Sequence, residues 1–512
     1  MRRWLVGALV VAVVGAGVVL RSQEVFEPWN GLHKGWGGAV YGNIARNLVR
    51  YGPLETRLAP LTNTGPVASR DEWTYYYHYP PLLVGMVAAS FRVFGVHEAS
   101  ARLVPLAFSL LTLGLAYLFA RRFWSNRIAL LALMVIAFLP VETYYADHVD
   151  VYGPPAAFFS ALAIVGYAWW FEDRRPRYLG LCFGALVAGC LMAWYAYFAA
   201  ALLAAHALWA GPRDRRPARW IPVALVACGV VVFTGFLLHR RSLLGGGGGE
   251  VYGTLLEKLL ARTGYFDLAI PTTDGLVPIG PAGFVKHLIR DVARMHGPLT
   301  LVLAASWLLT AASRAARRVG DARDGFLLML LGYGLVHGLA FPMLLPGHEF
   351  LSRCFSVGLA VAAAVAMDGL GCRLFPGGPL RAAFATGLLV VLVTASNVAL
   401  GRRLVVASVA GDEDMMWGTH VREATHPETV VLWPGRANQI LEFYLDRRTG
   451  WGITSPESLD SALVGVRHAA VAIAERDVGR FPALAGALDA QAPSTSWRGL
   501  RLYTIERDPE LR

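Results

Sequence analysis

The sequence predicts a mainly α, polytopic membrane protein with about eleven transmembrane helices and a small C-terminal α/β domain. Three observations predict it. Of 512 residues, 55% are apolar and only 16% charged, whereas a soluble domain carries about 25% charge. The apolar residues gather in runs near the roughly 20 residues that a helix needs to cross about 30 Å of hydrocarbon. The Arg residues sit in short clusters between those runs, where they set orientation. The net charge of +11 does not point to nucleic acid, because the Arg residues are not arrayed along one face. The five cysteines (Cys182, Cys190, Cys228, Cys354 and Cys372) lie within or beside apolar runs and lack metal-ligand spacing. Neither disulfides nor zinc sites are expected.

The first run, Trp4 to Leu20, follows Met1-Arg2-Arg3 and lacks a small-residue cleavage pattern after it, so it reads as an uncleaved first span. Further membrane-length runs lie near 99–120, 128–145, 153–171, 178–193, 195–210, 220–238, 298–313, 325–345, 350–372 and 381–399. Pro81 to Gly95 is marginal in length and decides the topology. If it crossed, the cluster Arg121/Arg122/Arg127 would fall outside and every later cluster would invert. If it lies in the interface or re-enters, that cluster falls inside with Arg2/Arg3, Arg174/Arg175/Arg177, Arg213/Arg215/Arg216/Arg219, Arg314/Arg317/Arg318 and Arg373/Arg381. The second arrangement puts the N-terminus in the cytoplasm. Three polar regions, 21–98, 239–297 and 400–512, then share the outer side.

Residues 1–399 thus form the membrane domain, and 400–512 read as a soluble extracytoplasmic domain. Val430–Leu432, Ala470–Ile473 and Leu500–Ile505 look like strands. Ala437–Arg447 and Pro456–Arg467 look helical, the latter with Ser455 as N-cap and Pro456 at its first position. No glycine fingerprint of dinucleotide type is present. Gly245 to Gly249 reads as a flexible joint in the second large outer loop.

The residues able to carry chemistry gather in the outer loops. The first loop holds His33, Trp36 and, in Asp71-Glu72-Trp73-Thr74-Tyr75-Tyr76-Tyr77-His78, an acidic pair close to His78. Its segment 38–50 has the spacing of an amphipathic helix lying on the membrane surface. Between two spans, Asp147-His148-Val149-Asp150 sets two carboxylates around an imidazole. An ionisable group at membrane depth costs roughly 2.5–3.5 kcal/mol on insertion scales, which marks it as functional unless it escapes to water. The three-residue spacing of Asp147 and Asp150 would put both on one face of a helical turn. Arg353, after His348, is expected near the outer surface, a suitable place for a phosphate partner. Lys286, Arg290 and Arg294 form a basic stripe at i, i+4 and i+8, either a solvated face or a grip on a lipid phosphate. Arg102 is expected near the outer end of its span.

Together these residues resemble the C-type, polyprenyl-phosphate-dependent glycosyltransferases of glycosyltransferase family 39, which includes protein O-mannosyltransferases and the lipid A aminoarabinose transferase. The resemblance covers about the first 210 residues. It rests on His78-Tyr79-Pro80-Pro81-Leu82, on Phe94-Gly95 through Ala101-Arg102-Leu103, and on Asp150, with an echo at Gly347-His348-Glu349-Phe350. One feature departs from the family, whose first outer loop carries an early Asp-Glu pair with the Asp as base. Asn30, His33 and Trp36 stand at the matching place.

The resemblance implies a membrane enzyme that moves a sugar from a polyprenyl-phosphate donor to an acceptor hydroxyl on a glycan, lipid or protein. Such a reaction needs one base for the acceptor and cations for the phosphate leaving group. Asp150 is the first candidate for base or site-organising carboxylate, with Asp147 and His33 in reserve. His78, Trp36, Arg102, Lys286, Arg290, His348 and Arg353 are candidates for binding substrate. A divalent metal ion is an open possibility without a legible ligand set. The rival class is a multi-span transporter or lipid flippase. That class often shows repeated halves and ionisable groups midway along spans, whereas here His206, His337 and Asp368 read as packing or interfacial groups.

Overall fold

A computed structural model describes residues 3–76, 78–209, 220–243, 257, 262–263, 269–272, 275–278, 280–317, 319, 321–344, 348–374, 378–408 and 412–506. The Arg213–Arg219 cluster and the Gly245–Gly249 joint lie outside the described residues, as do Arg2, Arg318 and Gly347. The chain folds into two compact units. One comprises Met1–Phe26, Tyr77–Leu83 and Arg102–Ala407; the other comprises Glu27–Tyr76, Val84–Ala101 and Ser408–Arg512.

Long apolar helices dominate the first unit. Among the described residues seven helices are long and apolar enough to cross a membrane: Trp4–Arg21, Glu98–Phe123, Pro154–Asp173, Trp220–Leu243, Pro298–Ala316, Glu349–Arg373 and Leu380–Val406. Asn126–Phe138, Pro176–Cys190 and Tyr195–Trp209 are apolar but have only 13 to 15 residues, about 20–22 Å at 1.5 Å per residue. Helix starts follow from local chemistry. Pro154, Pro176 and Pro298 occupy first-turn positions, where the missing N–H costs nothing. The Ser125 hydroxyl accepts the Ile128 N–H at 3.2 Å. The run predicted at 128–145 does not stay continuous. It breaks at Leu139, because Pro140 cannot extend the helix before it, and resumes as the five-residue helix Pro140–Tyr144.

The second unit is built on a sheet. After a hairpin of β1 (Ala269–Thr272) and β2 (Gly275–Pro278) in the first unit, the chain supplies β3 (Val430–Trp433), β4 (Arg448–Trp451), β5 (His468–Ala474), β6 (Ser494–Trp497) and β7 (Leu500–Glu506). The order is β4-β3-β5-β7-β6, with β3 parallel to β4 and β5, and β7 antiparallel to β5 and β6. Central β5 is buried on both faces. Ala470, Ala472 and Ala474 pack with Trp417, Leu441 and Leu445, while Ala469, Val471 and Ile473 pack with Leu459, Leu484 and Leu488. Helices Glu413–Ala424 and Gln439–Leu445 therefore cover one face, and Pro456–Ala462 and Pro482–Gln491 the other. Two expectations change. The boundary predicted at residue 400 falls inside the helix Pro379–Ser408, which runs on. The helix His33–Tyr51 is not an amphipathic helix lying with one face in water, because nearly every residue from Lys34 to Leu48 is buried. Glycines permit that burial: a Cβ at Gly38 would lie 2.2 Å from the Trp29 ring, and one at Gly42 2.8 Å from the Phe443 ring.

Candidate active site

In the first unit the segment Pro140–Gly153 carries the acids. After the short helix, successive turns fold the chain back, with the His148 N–H donating to the Tyr145 carbonyl and the Gly153 N–H to the Asp150 carbonyl at 2.8 Å. Only glycine fits at 153, since a Cβ there would meet the His148 and Asp150 carbonyl oxygens at 2.6 and 2.8 Å. Pro154 and Pro155 then start the next helix.

The two aspartates do not share one helical face; they sit in a loop with different partners. Asp147 is buried, with Oδ2 3.6 Å from Nε of Arg102, and Arg102 also donates to the Val25 carbonyl at 3.2 Å. Arg102, expected near the outer end of its span to meet a phosphate, is instead 1% exposed. Asp150 is 6% exposed, and its Oδ1 accepts the Tyr152 N–H at 2.8 Å. Burial pushes the Asp150 carboxyl up to about 7, only partly offset by that hydrogen bond. A carboxyl poised there exchanges protons readily near neutral pH.

Aromatic side chains surround Asp150. The Tyr79 ring meets the Tyr152 ring edge-on at 5.5 Å, and Tyr152 meets Tyr195 at 4.9 Å and His337 at 5.3 Å. Burial raises the hydroxyl pKa of Tyr79, with the nearby Arg262 opposing and Asp150 adding to the rise. Arg240 donates to the Tyr79 carbonyl at 2.6 Å, and the Arg262 guanidinium lies 5.7 Å from the Tyr79 ring centre. His78, one residue earlier, is half-buried.

Arg353 departs furthest from expectation. It lies in the 3₁₀ segment Glu349–Phe355 and is 3% exposed. Its Nε donates to Glu142 Oε1 at 3.1 Å, its Nη2 to the Val141 carbonyl at 2.9 Å, and its Nη1 to the Tyr145 carbonyl. All three nitrogens are engaged inside the protein, so the assignment of Arg353 to an incoming phosphate is corrected to one of holding the acidic loop. Arg21 extends the network, donating to Ser109 Oγ at 3.1 Å and to the Ala137 and Ile136 carbonyls. Nearby, Glu349 accepts from the Tyr145 hydroxyl at 3.0 Å and pairs with Arg294. Buried His296 bonds through Nε2 to the Ser352 carbonyl at 3.0 Å, and burial lowers its pKa to about 4. His348, just before this segment, is half-buried with its ring 5.6 Å from that of Phe350.

The basic stripe forms as predicted on the helix Pro281–His296, with Lys286 and Arg290 exposed. The helix's other face borders an apolar groove of about 670 Å³, lined by Phe284, Leu288, Val292, Leu301, Leu335 and Leu359. His33 and Trp36 belong to the second unit. His33 is half-buried, with its ring 5.8 Å from that of the exposed Trp36. In that unit too, Glu72 of the Asp71-Glu72 pair is held by Arg448 at 2.8 Å. Among the described residues no group of three or more His, Cys, Asp and Glu side chains is arranged to hold a metal ion.

Sequence reasoning passed over Glu142, Tyr152, Arg240 and Arg262. Glu142 had left a signal, a carboxylate inside a predicted span; the isolated arginines had left none.

Comparison with known proteins bears on this arrangement. Residues 78–239 match the family model described as dolichyl-phosphate-mannose-protein mannosyltransferase. No curated protein matches the chain in sequence. The structure of ArnT from Cupriavidus metallidurans bound to undecaprenyl phosphate superposes with a TM-score of 0.65 at 14% identity, covering 98% of each chain. The apo form of that protein gives 0.60 at 15% identity, covering 98% of this chain and 97% of that one. The oligosaccharyltransferase AglB from Archaeoglobus fulgidus, in complex with an inhibitory peptide and a dolichol-phosphate, gives 0.60 at 14% identity, covering 100% of this chain and 75% of that one. The resemblance and the fold class read from the sequence are borne out, with the span count limited to the seven helices above. Residues 78–239 thus match that family model, and over nearly its whole length the chain shares its fold with ArnT.

Proposed function

We propose that this membrane glycosyltransferase moves a sugar from a polyprenyl-phosphate donor to an acceptor hydroxyl at the extracytoplasmic face, with Asp150 as the base. The observation that carries the reading is Asp150 itself: a carboxyl raised to about 7, 6% exposed and ringed by aromatic side chains, inside the segment that matches the family. The N-terminus in the cytoplasm and the C-terminal domain outside complete the reading, on the positive-inside bias.

The chemistry follows from those groups. The acceptor oxygen attacks the anomeric carbon while Asp150 takes its proton. The bond from that carbon to the phosphate oxygen breaks, and polyprenyl phosphate leaves with the electron pair. A phosphate monoester is a weakly basic leaving group, so cations serve it better than an acid. Arg262 beside Tyr79, and the exposed Lys286 and Arg290, are the cations suited to it, while Arg102 and Arg353 are buried within the fold. The apolar groove on the opposite face of the Lys286/Arg290 helix suits a prenyl chain, because its walls are almost wholly aliphatic and aromatic. Asp147 and Arg102 act as one buried pair that anchors the loop. The transporter alternative draws no support from the similar proteins named above.

Reconstitution tests the reading. Vesicles carrying the purified protein and a radiolabelled polyprenyl-phosphate sugar should transfer label covalently to an acceptor with stoichiometric release of polyprenyl phosphate. Label that only changes leaflet, with no new glycosidic bond, would overturn it.

A further inference from the structure

The second unit contains a cavity that the reaction above does not use. It has a volume of about 570 Å³ and draws its walls from three separate stretches of that unit. Arg46 and Arg50 come from the helix His33–Tyr51, Arg422 from Glu413–Ala424, and Asp446 from the residue capping Gln439–Leu445; His97 and Glu98 close another side. Asp446 lies 2.8 Å from Arg46 Nη1 and 2.6 Å from Arg50 Nη2, so one carboxylate is shared by two guanidiniums. Glu98 is engaged by the Tyr444 hydroxyl. Arg422 brings a third guanidinium within electrostatic reach of Arg46, and Arg447 behind it bonds main-chain carbonyls of Arg422 and Thr425. Cations thus outnumber acids in a space large enough for a sugar-sized group. Arg46 is 7% exposed, and its repulsion from the half-buried Arg50 and Arg422 is relieved when an anion enters.

We infer that this cavity binds a singly charged oxyanion, a carboxylate or a phosphodiester. The fork of each guanidinium matches two oxygens of either group. Arg422, half-buried at the wall, supplies the first contact, while Arg46 and Arg50 turn part of their bonding from Asp446 to the incoming oxygens.

Direct binding to the full-length protein in detergent tests it, with methyl glucuronide and glycerophosphoglycerol as anionic probes and methyl glucoside as the neutral control. At least one anionic probe should bind saturably, and the neutral one should not. Binding should weaken at least tenfold in Arg422→Gln and tighten in Asp446→Asn, which removes the competing carboxylate; unfolding scans verify that both variants are folded. Whichever anionic probe binds identifies the source of the charge. Saturable binding of neither anion, equal binding of methyl glucoside, or unchanged affinity in folded Arg422→Gln would overturn the site. The same measurement in Asp150→Asn needs no transfer, so it separates this site from the catalytic proposal.

Discussion

Arg353 and Glu142 form a buried ion pair, Nε to Oε1 at 3.1 Å, between positions 211 apart in sequence. The pair ties the 3₁₀ segment Glu349–Phe355 to the short helix that opens the acidic loop. Because Arg353 also holds the Val141 and Tyr145 carbonyls, it fixes the backbone entering that loop at two points besides the Glu142 side chain. Asp150 follows Tyr145 by five residues, so the pair acts on the chemistry by positioning.

Removing one partner strands the other. Arg353→Ala should lower stability by about 3–5 kcal/mol, the cost of an uncompensated buried charge. Replacing both, as Arg353→Met with Glu142→Leu, should recover much of that loss. Thermal unfolding in detergent checks both. The expected signature is a double variant more stable than either single one.

How much of this was legible in the sequence depends on range. Membrane spans were legible because twenty apolar residues in a row have few other uses. The sheet's buried strands β3, β5 and β7 were legible as short apolar runs, whereas β4 and β6 were not, for Arg448–Trp451 and Ser494–Trp497 are short, polar edge strands. Arg353 was misassigned because its partner lies 211 positions away and no local pattern announces it. Segment 38–50 looked amphipathic because Tyr41, Ile44 and Leu48 fall at helical spacing, a pattern that says nothing of the groups that approach closely at Gly38 and Gly42. Asp150 was legible as a candidate, but its burial was not.

Asp150→Asn keeps the hydrogen bond from the Tyr152 N–H and loses the proton acceptor. Transfer should fall by 10² to 10⁴, the usual range for a general base, while the protein still inserts and folds. Initial rates with purified protein and labelled donor check this. Full activity in Asp150→Asn would remove the assignment.

Gly153 tests loop geometry without touching a charge. In Gly153→Ala the new Cβ would crowd two backbone oxygens, and backbone cannot yield as a side chain can. The loop must move, and a shift near 1 Å in a reacting group costs about 10²-fold. The turnover number should drop by at least tenfold with the protein still inserted.

Donor affinity should respond to cations that are at least partly exposed and not to those buried within the fold. Arg262→Ala, and Lys286→Ala with Arg290→Ala, should raise the apparent KM for donor several-fold and flatten its dependence on salt. Donor titrations at two ionic strengths check this, and an unchanged KM in all of these variants would return the phosphate role to another part of the chain.

The raised carboxyl of Asp150 sets opposite pH trends for activity and stability. A base must be deprotonated, so the transfer rate should rise as pH increases through about 7 and fall tenfold per unit below it. Stability runs the other way. The unfolded carboxyl releases its proton near 3.8 and the folded one near 7, so between those values the folded chain holds the extra proton. By linkage its stability contribution is fully present below about 4 and declines as pH rises through that window. Asp150→Asn removes both trends together. Rate profiles and unfolding scans from pH 5 to 8, on wild type and Asp150→Asn, should therefore diverge in both readouts. A wild-type rate that is flat across that range excludes Asp150 as the group that takes the proton.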